Sequence, residues 1–207
     1  MNDSNPYETY ADEYESWFNE NDLLFSSELD AIRQLMPSFE KGLEIGVGTG
    51  LFAQALGIKE GVEPSAAMRI KAELRGVRVL DAFAESLPFA DGSYDLVLMV
   101  TVDCFLNDVQ AAYQEAHRIL KSGSTLIVAF IDRASPLGQI YEEKKQYSPF
   151  YSQAHFHSAH KMKEILMDSG FKIEDSRQTV FTLTNQFQEV WAGTGQGVFA
   201  VIRARRV

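Results

Sequence analysis

Three glycines at alternate positions, Gly46, Gly48 and Gly50, follow the apolar start of GLEIGVGTG, the stretch that opens at Gly42. This spacing makes a tight strand-to-helix turn whose missing β-carbons let a ligand lie against bare backbone. Glu63 stands roughly twenty residues beyond the start of that run, the interval at which nucleotide folds place the carboxylate that holds ribose hydroxyls. A dinucleotide fingerprint requires G-x-G-x-x-G so that a helix N-terminus can receive a pyrophosphate, and Leu51 occupies the position of its third glycine. Glu44, two residues before Gly46, also argues against a phosphate. A carboxylate there suits a ligand with an ammonium group, and a nearby sulfonium cation gains from the same field.

A second set of candidates could act on the other reactant. Asp103, in MVTVDCFLND, follows an apolar strand pattern. It therefore falls beyond the carboxyl end of a strand, where open α/β sheets bind their ligands, and could take a proton from an amine or alcohol; a helix N-cap is the competing role. His155 and His157, in AHFHSAH, share one side of an extended chain and are the next candidates. With His160 they make three imidazoles, but no carboxylate or cysteine accompanies them at ligand spacing and Ser158 reads as a helix cap, so no metal is expected. Tyr141, Tyr147, Phe150 and Tyr151 would form either an aromatic, cation-binding acceptor pocket or the packing of an inserted helix. Tyr14 and Trp17, three apart on a helix, share a face that belongs to a cofactor lid or to the core.

The elements that must position these groups follow from periodicity. Short β-branched-rich runs at Leu43 to Val47, Gly61 and Val62, Val77 to Leu80, Tyr94 to Val100 and Thr125 to Ile131 alternate with helix-period segments at Gly50 to Leu56, Ala66 to Arg75 and Val109 to Leu120. That alternation predicts βαβ units around a parallel sheet. Asn107 or Asp108 caps the last of those helices and Gly123 lies just past its end. After a helix from His160 to Ser169, stopped by Gly170, strands at about Lys172 to Phe181 and Gly197 to Arg203 are expected to pair as an antiparallel edge. The polar and aromatic stretch from residue 132 to 158, with a helical pattern at Leu137 to Gln146, is longer than an ordinary connection and reads as a functional insertion.

At 207 residues the chain has the size of one domain, taken as 1–207 with an N-terminal helical cap over 1–38. Its net charge of -10 repels phosphate backbones and anionic membrane surfaces, which excludes nucleic acid as an expected partner. Cys104 is the single cysteine, which excludes an internal disulfide or a thiolate-rich zinc site and suits a reducing cytoplasm. The acidic, aromatic start and the lack of any apolar run of bilayer length point to a soluble, cytoplasmic protein with no membrane partner.

Taken together, the motifs resemble those of the class I S-adenosylmethionine-dependent methyltransferases, in particular the methyltransferase type 11, ubiquinone-biosynthesis-like, small-molecule group. GLEIGVGTG is similar to the family's first motif, and GVEPSAAM to the segment whose acidic residue holds both ribose hydroxyls. AESLPFADGSYDLVLMV resembles A-E-x-L-P-F…S-F-D-x-V, EAHRILKSGSTLIV resembles E-x-x-R-V-L-K-P-G-G-x-L, and YETYADEYESWF resembles the N-terminal segment that folds over the cofactor. The resemblance implies a Rossmann-like, doubly wound, mostly parallel seven-stranded sheet with an antiparallel C-terminal edge hairpin and an N-terminal helical lid. It implies S-adenosylmethionine as cofactor and S-adenosylhomocysteine as product. The cofactor residues would be Tyr14 and Trp17 from the lid, Glu44, Gly46, Val47, Gly48 and Gly50 from the first motif, and Glu63, Pro64, Ser65 and Met68 from the second. Phe83, Ala84, Glu85 and Val100 complete the set; Phe83 stands where the family often has an adenine-binding Asp, which leaves that contact to the Ala84 N–H, to Phe83 or Met68, or to Asp81. The implied activity is methyl transfer to a small-molecule acceptor such as an amine, by in-line displacement. A non-catalytic binding module and an NAD-dependent oxidoreductase are the alternatives, the latter disfavoured by the glycine spacing and by Glu44.

Overall fold

The computed structural model describes residues 6–207, so the first five residues of the expected cap lie outside it. The chain enters through three helices, α1 (Pro6–Thr9), α2 (Ala11–Glu20) and α3 (Asp22–Arg33), and then alternates β1 (Gly42–Ile45), α4 (Leu51–Leu56), β2 (Glu60–Val62), α5 (Ala66–Leu74) and β3 (Arg78–Leu80). It continues through β4 (Tyr94–Val100), a single 3₁₀ turn at Asp103–Phe105, α6 (Val109–Ile119) and β5 (Leu120–Ile131). The insertion carries α7 (Pro136–Lys144), and α8 (Ala159–Asp168), β6 (Phe171–Thr179), β7 (Trp191–Ala192) and β8 (Phe199–Arg206) complete the chain.

The sheet runs β3-β2-β1-β4-β5-β8-β6-β7. Its first five strands are parallel, and β8 enters antiparallel between β5 and β6. After β1 the chain goes out to β2 and β3 and returns to β4 on the other side, so the strand order reverses between β1 and β4 and opens a crevice at their carboxyl ends. Alternation along the strands builds two cores. Leu96, Leu98 and Val100 face α3, α4 and α5 through Ile32, Ala53 and Ala72, whereas Val97 and Met99 face α6 and α8 through Tyr113, Met162 and Ile165.

Side-chain caps mark the starts of α5, α6 and α8. Asp108 accepts the Ala111 N–H, Ser65 the Met68 N–H and Ser158 the Lys161 N–H. The insertion is stitched shut at its base by Asp132, a fully buried residue whose Oδ1 accepts N–H groups from both Ala134 and Ala159 at 3.0 Å. Two details depart from the sequence expectation. The sheet has an eighth strand, the two-residue β7, which pairs only with β6 at the edge and is too short to leave a periodic signal. In addition, α6 passes directly into β5, so Gly123, with φ +77, sits within a register irregularity of that strand and not in a helix-ending turn. No helix among the described residues is long and apolar enough to cross a membrane.

Candidate functional site

A cavity of about 720 Å³ opens over the β1/β4 crevice and runs from the glycine turn to the underside of the insertion. Its floor at one end is the turn after β1. A Cβ on Gly46 would collide with the side chain of Val102, and φ there is +68, so only glycine fits. Gly48, with φ +52, faces open space bounded by the Tyr14 hydroxyl, which leaves its backbone bare for a ligand. Glu63, at the tip of β2, lies across from it: Oε2 accepts the Gly48 N–H at 3.1 Å and Oε1 the Ser65 N–H at 2.9 Å. Burial pushes the Glu63 carboxyl up, and those two N–H groups pull it back toward the charged form.

The adjoining wall is built from Pro64, Met68, Phe83, Ala84 and Glu85, with Val100 at the end of β4. Glu85 is held by the Asn107 N–H, which ties the loop after β3 to the one after β4. Asp81 pairs instead with Arg69 at 3.0 Å and is not in the wall. From above, α1 and α2 close this end. Glu8 accepts a 2.7 Å bond from the Ser65 hydroxyl, and Lys71 of α5 pairs with Asp12 and Glu15 at 2.6 and 3.0 Å. Tyr14 and Trp17 line the cavity from α2. A carboxylate at the β2 tip, a bare glycine backbone and the apolar Met68 and Phe83 line this end of the cavity together, a set of groups with the chemistry to receive an adenosyl group.

Four residues expected at the cofactor lie behind this wall. Val47, Gly50 and Ser65 shape the turn or cap α5 without lining the cavity. Glu44 is sealed beneath the glycine turn, 1% exposed, where burial holds its carboxyl well above the usual range; its Oε2 has no hydrogen-bond partner.

The other end of the cavity is aromatic. Tyr141 of α7 and Tyr151 meet edge to face, and Tyr151 stacks over Phe105 from the turn after β4. Ile131, Val198 and Phe199 form the floor there, and Val180 joins them from the end of β6. Thr101 and Val180 are the two non-glycine residues with positive φ among those described, +50 and +59, and both line the cavity. Backbone strain of this kind concentrates at functional sites, and a β-branched residue adopts such a φ only where its surroundings over-determine it. Glu28, on α3, projects into this chamber; sequence reasoning missed it, although its spacing of four from both Leu24 and Ile32 puts a carboxylate on a buried helical stripe.

The expected acceptor-side residues are placed differently. Asp103, 3% exposed, points away from the cavity and accepts a 3.1 Å bond from His157 Nδ1, with its Oδ1 left unpartnered. Burial pushes the Asp103 carboxyl up, and His157 draws it down. The His155 N–H donates to the Cys104 carbonyl while its side chain is exposed, and His160 is exposed beside Glu164. The pair Asp103 and His157 thus fastens the turn after β4 to the end of the insertion, with Val102 and Phe105 on the cavity side of that joint.

Comparison with known proteins agrees with this geometry. The family described as Methyltransferase domain matches residues 43–128, from β1 into β5. The uncharacterized protein MJ1123 of Methanocaldococcus jannaschii is 43% identical over 205 residues, covering 98% of this chain and 100% of its own length. Among solved structures, a SAM-dependent methyltransferase of Thermotoga maritima, named as a possible histamine N-methyltransferase, is 43% identical with a TM-score of 0.94, over 98% of this chain and 99% of that one. An S-adenosylmethionine dependent methyltransferase of Mesorhizobium loti, 17% identical with a TM-score of 0.68 over 87% and 98% of the two chains, shares the fold.

Proposed function

Because the chain belongs to the class I S-adenosylmethionine-dependent methyltransferases, we propose that its acceptor is a small-molecule amine bound in the aromatic end of the cavity. The observation that carries this reading is the cavity itself: one continuous space of about 720 Å³ joins Glu63 and Gly48 to the Tyr141 and Tyr151 chamber. That volume suits a cofactor and a small acceptor side by side. Among the described residues its wall carries three carboxylates, Glu28, Glu63 and Glu85, and no lysine, arginine or histidine, a charge pattern that favours a neutral or cationic acceptor over an anionic one. The name of the Thermotoga maritima structure, a possible histamine N-methyltransferase, supports an amine.

S-adenosylmethionine supplies a sulfonium methyl, whose bonding electrons return to sulfur as the acceptor's lone pair forms the new bond. What remains for the protein is alignment and the exclusion of water. Glu63 and the Gly48 backbone fix the cofactor end, the strained Thr101 and Val180 hold the walls on either side, and the α1–α2 lid covers the opening through Tyr14 and Trp17. The test is incubation with methyl-labelled S-adenosylmethionine and a set of small amines, alcohols and phosphorylated metabolites. Label recovered in an amine, with stoichiometric S-adenosylhomocysteine, is the expected result. Label confined to a polyanionic metabolite or to macromolecules overturns the reading.

A further inference from the structure

The three carboxylates of the cavity wall are not equivalent. Glu63 is committed to two backbone N–H groups and Glu85 to the loop after β4. Among the described residues Glu28 makes no hydrogen bond and no ion pair, and its half-buried side chain lines the cavity. A carboxylate largely covered by apolar neighbours, with no partner to hold its charge, is costly unless a ligand completes it. Its surroundings define the ligand. Tyr14 from α2, Tyr141 from α7 and Tyr151 from the insertion face it closely enough to feel its charge. Phe52, Leu24 and Phe199 supply the apolar remainder of the chamber. Aromatic side chains lining the same cavity as a lone carboxylate make a receptor for an ammonium group attached to an apolar body.

Tyr14 also fixes where this receptor lies along the cavity. It lies within electrostatic reach of Glu44, Glu63 and Glu28, and its hydroxyl borders Gly48. Glu28 is therefore within reach both of the tyrosine beside the glycine turn and of Tyr141 and Tyr151 in the aromatic chamber.

Resting on the methyltransferase reading, we propose that Glu28 is the acceptor-binding carboxylate, that it pairs with the ammonium form of an arylalkyl- or alkylamine, and that it receives the proton the amine loses before methylation. In that step an N–H bond breaks, the proton passes to a Glu28 carboxylate oxygen, and the electron pair stays on nitrogen as the nucleophilic lone pair. Desolvation suits the group to this task by pushing it up to about 8, toward the range of an amine, which makes it a stronger base than an exposed glutamate. The groups facing it are Tyr14, Tyr141 and Tyr151, with Glu44 and Glu63 beyond Tyr14; the cavity wall adds no cation that would draw it down.

The experiment is calorimetry on the full chain saturated with S-adenosylhomocysteine, using 2-phenylethylamine, histamine and 1,4-diaminobutane, each paired with the alcohol of the same shape. Wild type binds at least one amine about tenfold or more tightly than its alcohol. Glu28→Gln, which keeps shape and removes charge, loses that preference while binding S-adenosylhomocysteine as wild type does. In wild type, amine affinity falls as pH drops through about 8, where the carboxyl takes up its proton, and the Glu28→Gln profile is flat. Equal amine binding by the two proteins, or no preference for any amine over its alcohol in wild type, overturns the proposal. Failure of wild type to bind S-adenosylhomocysteine at all would instead sink the methyltransferase reading, so the two failures are distinguishable.

Discussion

The two ends of the cavity are made by opposite means. At the cofactor end every charged group in the wall is already satisfied: Glu63 by Gly48 and Ser65, Glu85 by Asn107. At the acceptor end the one charged group, Glu28, has nothing, and the remaining wall is aromatic and aliphatic with two residues held at positive φ. A site whose polar groups are pre-paired loses little on standing empty and binds by shape, whereas a site with an unpaired, largely covered carboxylate is destabilised until its ligand arrives. On the proposed reading, the cofactor end is built for one invariant molecule and the acceptor end carries its selectivity in a single charge.

The largest expected effect tests the cofactor end alone. Glu63→Ala removes the carboxylate expected on the ribose and leaves the Gly48 and Ser65 N–H groups without their acceptor. S-adenosylhomocysteine affinity should fall by about 1.5 to 3 kcal/mol, roughly tenfold to over a hundredfold. Amine binding to the free protein should hold, because Glu28 and its three tyrosines are untouched. A variant that loses both ligands equally would show that the two ends are not separable.

The second effect concerns the cost of an empty acceptor end. A carboxyl whose folded pKa is raised contributes stability that is present at low pH and lost as pH rises through the folded value. For Glu28 the loss runs from the unfolded value, 4.5, to about 8. Glu28→Gln should therefore match wild type in thermal stability at pH 4 and exceed it at pH 8.5 by on the order of 1–3 kcal/mol, several degrees in Tm for a chain of this size. A constant difference across that range would mean that Glu28 does not titrate in the chamber.

Legibility in the sequence follows the same division. The cofactor end is assembled from short contiguous stretches, so that the glycine turn at Gly46 to Gly50 and the carboxylate at Glu63 were legible in residue types and spacing, and the loop of Phe83 to Glu85 in the family resemblance. The parallel strands were equally legible, since burial on both faces leaves near-continuous apolar runs such as Tyr94 to Val100. The acceptor end joins α3, α7, Tyr151 and the end of β6, segments as far apart as Glu28 and Val198, and no local pattern records that meeting. Asp103 illustrates the limit. Its position after β4 placed it at the right end of the sheet, but spacing cannot say to which side of a 3₁₀ turn a side chain points, and it turned toward His157.

Asp103 supplies the third test, smaller because its partner can adapt. In Asp103→Asn an amide oxygen still accepts from His157 Nδ1 at the same place, and the buried charge is removed. Stability should change by no more than about 1 kcal/mol, and affinity for both ligands by less than about threefold. Turnover should fall less than tenfold, against the ~10² to 10⁴-fold that loss of a general base would cost. A drop of that larger size, with Glu28→Gln still active, would transfer the proton-accepting role from one carboxylate to the other.

The smallest effect lies in the lid that the two ends share. Lys71 holds α2 to α5 through Asp12 and Glu15, and Arg75 adds a second contact to Glu15. Asp12 is almost fully exposed, so its share of this pairing is screened by water and salt, whereas Glu15 is largely covered. In Lys71→Met the stem still packs and only the charge is lost, which separates clamping from burial. Arg75 remains, so the lid should stay folded and the cost should be of surface-pair size, about 0.2–1 kcal/mol. Because α1 and α2 line the Glu63 end of the cavity and carry Tyr14 into its wall, a looser lid should weaken S-adenosylhomocysteine and the amine together, each by no more than about fivefold. The defect should appear at low ionic strength and fade as salt is raised toward 1 M, where wild type loses the same pairing. A loss confined to the cofactor would restrict the lid to one end of the cavity, and Tyr14 would then owe its position to the aromatic contacts with Phe18 and Phe150 and not to the clamp.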